Sequence, residues 1–172
     1  GEGVERDYRQ AIAWFSQAAN RGHVSAQYNL GMMYAKGQGV ARDDVQAVTW
    51  YRKAAVRGHD ISQINLGTMY YFGQGVEQDY CQAVDWFRKA AEQGNAVAQN
   101  NLGSMYKDGQ GVSQNYVQSV VWFRLAAEQG HSGAQINLAA MYFNGQGVPR
   151  NYVQAYAWFS VAAENGQIDD RS

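Results

Sequence analysis

Residues 24–58 read VSAQYNLGMMYAKGQGVARDDVQAVTWYRKAAVRG, and this stretch decides the fold. From Val24 to Lys36, the residues Ala26, Leu30, Met33 and Tyr34 recur at helical spacing. Gly37 follows the last turn, where a glycine can take the left-handed conformation that ends a helix. Gly37-Gln38-Gly39-Val40 then reads as a connector, with Val40 as an apolar plug beneath it. Asp43 is an N-cap type whose side chain can accept the free amides of a first turn. A second helix runs on to about Arg57 and stops at Gly58.

Outward from this stretch the same pattern returns every 36 residues. Tryptophan stands at Trp14, Trp50, Trp86, Trp122 and Trp158, and the cap position carries Asp7, Asp43, Asp79, Asn115 and Asn151. Glycines matching Gly58 are Gly22, Gly94, Gly130 and Gly166. A fixed period in the 20–50 range marks a stacked repeat protein. The expected fold is therefore all-α: a leading second helix followed by four helix pairs, stacked as an α-solenoid. The expected organisation is one repeat domain over 1–172, with a partial repeat at 1–22, full repeats at 23–58, 59–94, 95–130 and 131–166, and a tail at 167–172. Because Gly3-Val4 matches Gly39-Val40 inside a repeat, the chain reads as a fragment of a longer protein.

The composition narrows the function classes. Fourteen basic residues stand against 15 acidic ones, a net charge of −1 with no basic stripe, so nucleic acid is not the expected partner. No apolar run reaches the length of a membrane span. The single Cys81 cannot build a disulfide framework and falls on the outward side of its helix. His23, His59 and His131 share one repeat position, but equivalent positions in stacked helices lie about 10 Å apart, too far to share a metal whose ligands sit about 2 Å away. The Gly-Gln-Gly segments follow helix C-termini, whereas phosphate loops lead into helix N-termini. No Ser, His and acid set departs from the repeat, so neither enzyme activity, cofactor nor metal is expected.

The string Ala26-Gln27-Tyr28-Asn29-Leu30-Gly31, Met33-Tyr34, Gly37-Gln38-Gly39-Val40, Ala47, Trp50-Tyr51, Ala54-Ala55 and Gly58 resembles the Sel-one-like repeat (SLR), a relative of the tetratricopeptide repeats. Tetratricopeptide units run 34 residues, and the 36-residue period with its Gly-x-Gly-Val connector favours the SLR likeness. The resemblance implies a right-handed superhelix of antiparallel helix pairs and a role in protein–protein interaction. It points to a bacterial protein of the periplasm, the envelope or the secreted space, with the cytoplasm left open. Some bacterial members carry a cysteine pair in each repeat; this chain does not.

Comparing the repeats with one another separates packing from free positions. On the first helix, positions 26, 27, 29, 30, 31, 33 and 34 recur and span roughly 200° of the helical wheel, leaving about 120° of changeable positions. In helix-pair solenoids the first helix lines the concave side. The expected groove begins with Tyr28, Met32, Lys36, Ile64, Thr68, Tyr71 and Phe72. It continues with Asn100, Ser104, Lys107, Ile136, Phe143 and Asn144. Tyr71 and Phe72 are adjacent aromatics of the kind that anchor partners, unless they fold down onto the next repeat. Asn29, Asn65, Asn101 and Asn137 edge this groove. They either bond the backbone of an extended peptide or hold the stack in register, and the stacking role is favoured. Gln27, Gln63, Gln99 and Gln135 point elsewhere and read as structural.

On the second helix, the tryptophans and paired alanines form the packing face, and Arg52, Lys53, Asp85, Arg88, Lys89 and Glu92 form a solvated outer one. The last two repeats depart from this, with Val117, Val121, Leu125, Val153, Ala157 and Val161 at outward positions. These six either form a covered second surface or are scattered valines at helix edges. The leading functional reading is a scaffold that binds a peptide or protein segment in the concave groove. The alternative is self-association through the apolar outward patch. A hydrolase acting on envelope substrates, which the resemblance also implies for some members, is the weakest.

Overall fold

The computed structural model describes residues 8–169, with side chains through 165. The described residues form nine helices: α1 (Tyr8–Asn20), α2 (Val24–Lys36), α3 (Asp44–Ala55), α4 (Asp60–Phe72), α5 (Tyr80–Glu92), α6 (Ala96–Asp108), α7 (Tyr116–Glu128), α8 (Ser132–Asn144) and α9 (Tyr152–Asp169). The class is all-α, built of repeated helix pairs, and no strand occurs among the described residues. They divide inside α5, between Trp86 and Phe87, into two compact units.

Local chemistry sets the helix ends where the sequence places them. The first helices α2, α4, α6 and α8 end on Gly37, Gly73, Gly109 and Gly145, all at φ between 66° and 69°. An L-residue with a Cβ rarely adopts that backbone, so glycine ends the helix there at least strain. Each of the second helices α3, α5, α7 and α9 starts at an Asp or Asn that accepts a backbone amide three residues on, from Gln46, Gln82, Gln118 and Gln154, all at 3.0 Å. The fifth expected cap, Asp7, lies outside the described residues. His59 and His131 also act as caps, accepting the amides of Ser62 and Ala134 through Nδ1, while Asn95 serves α6 in the same way.

Packing is then carried by the recurrent positions. In the first unit, Trp50 is buried against Ala19 of α1 and against Ala26 and Leu30 of α2 in its own repeat, and Trp86 against a cluster of Ala47, Val48, Tyr51, Leu66 and Met69. In the second unit, Phe123, Ala126, Ala134, Leu138 and Met141 form the core, with Trp158 packed on its edge. Trp14 differs from this pattern: it is 67% exposed. Each buried tryptophan lies on the first helix of its own repeat and the second helix of the repeat before, and the described residues place neither before α1.

The structural reading of the glutamines has a direct geometric account. Gln27, Gln63, Gln99 and Gln135 are buried, and each donates its side-chain amide to the carbonyl eight residues earlier, that of Ala19, Ala55, Ala91 and Ala127, at 3.0–3.2 Å. A helix leaves its last carbonyls without intrahelical partners. Here each of these alanine carbonyls accepts a turn amide, from Gly22, Gly58, Gly94 or Gly130, and the glutamine adds a second bond that ties each second helix to the first helix that follows it.

The second glycine of each connector answers to a different demand. A Cβ on Gly75 would strike the backbone of Asp44, and one on Gly147 the backbone of Tyr116. The connector thus lies directly on the start of the second helix one repeat earlier, and only a residue without a side chain fits.

Candidate functional site

The groove residues named from sequence sit on α2 and α4 in the first unit and on α6 and α8 in the second. None of them is buried. In the first unit Tyr28, Asn29, Met32, Ile64, Asn65, Thr68 and Tyr71 are half-buried, Lys36 is exposed, and Phe72 is 60% exposed. In the second, Asn100, Asn101, Ser104, Lys107 and Asn137 are half-buried, while Ile136, Phe143 and Asn144 are exposed.

The exposed aromatics do not stand alone. Tyr71 packs edge-on against Phe72 at 4.9 Å and against Tyr80, at the start of α5, at 5.2 Å. Phe143 meets Tyr152, at the start of α9, in the same way at 5.3 Å. These are the same two repeat positions, 71 and 80, carried forward by 72 residues. The pairing folds Tyr71 partly down and leaves Phe72 open to solvent.

The recurring asparagines divide. Asn137 donates to Asn100 Oδ1 at 2.9 Å, linking adjacent first helices within the second unit. Asn65 bonds the Tyr51 hydroxyl in the first unit. Burial pushes the Tyr51 phenol up to about 12, the nearby Tyr28 adds to the rise, and the bond from Asn65 partly offsets it. Both asparagines are engaged within the stack.

Two open pockets occupy equivalent places. The first, of about 320 Å³, is lined by Tyr28, Lys36, Arg42, Asp44, Tyr51, Asn65 and Thr68 among others. The second, of about 260 Å³, is lined by residues displaced by 72 positions, including Lys107, Asp108, Gln114, Tyr116 and Asn137. Arg42, Asp44 and Gln74 come from connectors and a helix start, which the first-helix pattern did not include. One signal marks the site in the sequence: Asp44 stands where the other repeats carry Tyr8, Tyr80, Tyr116 and Tyr152. Arg42 donates to Asp44 through two nitrogens, at 3.0 and 2.8 Å, and these bonds hold the Asp44 carboxyl below its usual range.

The outward face carries chemistry that the sequence pattern did not disclose. Arg52, Arg88 and Arg124 each donate to a tyrosine hydroxyl 18 residues on, those of Tyr70, Tyr106 and Tyr142. Lys53 lies over the Trp50 ring at 3.9 Å, a cation–π contact. Val117, Val121, Leu125, Val153, Ala157 and Val161 are all exposed in the second unit. Cys81 is exposed with a free thiol. Among the described residues no group of three or more His, Cys, Asp or Glu could hold a metal ion, and no helix is long and apolar enough to cross a membrane.

The Sel1 repeat model matches the chain over residues 1–23, 24–59, 60–95, 96–131 and 132–167. The chain belongs to the Sel1 repeat family. Among solved structures it is similar to a protective antigen of uropathogenic Escherichia coli displaying an SLR fold, at 46% identity and a TM-score of 0.93 over 96% of this chain and 36% of that one. It is also similar to a Sel1 repeat protein from Oxalobacter formigenes, at 36% identity and a TM-score of 0.89 over 97% of this chain and 66% of that one. An immunity protein from Pseudomonas aeruginosa matches at 26% identity and a TM-score of 0.60, over 96% of this chain and 60% of that one. This chain therefore spans about a third and about two thirds of the first two relatives. No curated protein matches it. Sel1 repeat proteins are generally interaction scaffolds rather than catalysts.

Proposed function

We propose that this chain is a non-catalytic binding scaffold that captures a peptide or protein segment along the exposed faces of its first helices. One observation carries the reading. On helices whose recurrent positions are mostly buried, the asparagines and tyrosines half so, the positions that change from repeat to repeat are all solvent-accessible, and they include Phe72, Ile136 and Phe143 at half exposure or more. Burying one such side chain in a partner contributes about 1.5–3 kcal/mol, and each unit offers at least one.

The test is capture of proteins from an extract of the source cells by wild type and by the double variant Tyr71→Ala/Phe72→Ala, with bound species identified by mass spectrometry. The reading expects specific species that the double variant retains at least tenfold less. Equal capture by both proteins overturns it for the first unit.

Self-association is the second reading, supported by six apolar side chains that share the outward face of α7 and α9 and are all exposed. Sedimentation of wild type and Val121→Asp separates the two readings. Assembly through this face requires a larger species that Val121→Asp dissolves, whereas the scaffold reading expects no change.

A further inference from the structure

We propose that the pocket between α2 and α4 is a subsite for a carboxylate, taking an Asp or Glu side chain of an extended peptide bound along these helices. The inference rests on the scaffold reading and assigns a chemistry to one position within it.

Three features single this pocket out. The first is that no aromatic pair covers its wall, as one does in the second and fourth full repeats. Tyr71 and Phe143 cover their positions by packing on Tyr80 and Tyr152. The equivalent pair in this repeat is Ala35 and Asp44, a methyl group and a short carboxylate, both at the pocket wall.

The second feature is charge. Asp44 is neutralised by the two-pronged bond from Arg42, so it presents little negative charge to the pocket. Lys36, on the same wall, makes no hydrogen bond or ion pair among the described residues, and neither do the side chains of Thr68 and Gln74. The pocket therefore holds one uncompensated ammonium and two neutral donors. A carboxylate accepts from all three kinds of group, and charge-assisted bonds of this sort are the stronger ones.

The third is the contrast with the equivalent pocket in the second unit. There Lys107 is held by Asp108 at 3.6 Å, Gln114 donates to the Lys107 carbonyl at 2.8 Å, and Asn137 is taken by Asn100. Its cation is answered internally, as are Gln114 and Asn137, while Gln146 stands there as Gln74 does in the first pocket. The two pockets share a framework and differ in whether the charge is already answered.

The test uses immobilised random 12-residue peptides prepared in two pools, one with a central Glu and one with a central Gln, titrated with the whole chain. Wild type should retain the Glu pool about five- to tenfold more tightly, and the preference should shrink with added salt. Lys36→Gln should abolish it, Lys36→Arg should retain it, and Lys53→Gln, on the outward face of α3, should leave it unchanged. Equal retention of the two pools by wild type, or a Glu preference that survives Lys36→Gln, overturns the carboxylate subsite while leaving peptide binding intact. Retention of neither pool overturns peptide binding along these helices and the subsite with it.

Discussion

Gln135, on α8, donates to the carbonyl of Ala127 near the end of α7 at 3.1 Å, and its own Oε1 accepts from Asn165 of α9 at 3.1 Å. One buried amide thus joins three consecutive helices. Gln99 makes the same two bonds in its repeat, to Ala91 and from Gln129.

Replacing Gln135 with Leu keeps most of the volume and removes both bonds. The Asn165 amide loses its partner and the Ala127 carbonyl keeps the Gly130 backbone amide at 3.0 Å; each lost bond of this kind costs about 0.5–1.5 kcal/mol. Urea denaturation should show that loss as a lower midpoint with an unchanged slope. A surface control, Gln118→Leu, keeps its backbone bond to Asn115 and should move the midpoint far less.

The sequence discloses the parts of this fold that depend on local spacing. Helix ends follow from Gly37 and Asp43 and their repeats because each acts through its own backbone or through an amide three residues away. The role of the buried glutamines was legible because they recur with the packing residues. What escaped were links with no helical spacing. Arg52 reads as a solvated outer cation, yet its guanidinium reaches Tyr70 across the next first helix, 18 residues on. The pocket around Lys36 needed Arg42 and Asp44 from a connector, and a helical wheel drawn for α2 alone omits both. The asparagines could not be resolved from sequence because their partners differ: a phenol for Asn65 and an amide for Asn137.

Glycines of like backbone should respond unequally to alanine. Gly130 and Gly147 lie at φ 87° and 71°, so both substitutions incur the left-handed penalty of about 1–2 kcal/mol. At Gly130 a new Cβ meets nothing within 4 Å, whereas at Gly147 it runs into the Tyr116 backbone carbonyl. Gly147→Ala should therefore destabilise clearly more than Gly130→Ala in thermal or urea unfolding. Equal effects would show that the connector can move away from α7.

Alkaline stability should depend on Tyr51. Its folded pKa is raised from 10.0 to about 12, chiefly by burial, so the fold favours the neutral phenol. That contribution is fully present below pH 10 and is lost as pH rises toward 12, where the unfolded chain ionises first. Unfolding free energy measured from pH 9 to 11.5 should fall for wild type and fall less for Tyr51→Phe. Phenylalanine already occupies this position as Phe15, Phe87, Phe123 and Phe159, so the substitution suits the site.

The glycine on the inner face of the first helix makes room for that same aromatic. A Cβ on Gly31 would lie 2.7 Å from the Tyr51 ring, and one on Gly103 would lie 2.7 Å from the Phe123 ring. In the last repeat the first helix carries Ala139 instead, and Phe159 is 41% exposed where Phe123 is fully buried. Gly103→Ala should therefore overpack this contact and cost about 1–3 kcal/mol. Phe123→Leu alone loses ring contacts and also destabilises. Combined, the leucine leaves space for the new methyl, so the double variant should be more stable than the sum of the two single losses allows, by about 0.5 kcal/mol or more. Strict additivity in a urea-unfolding cycle would mean that the methyl and the ring do not compete for the same space.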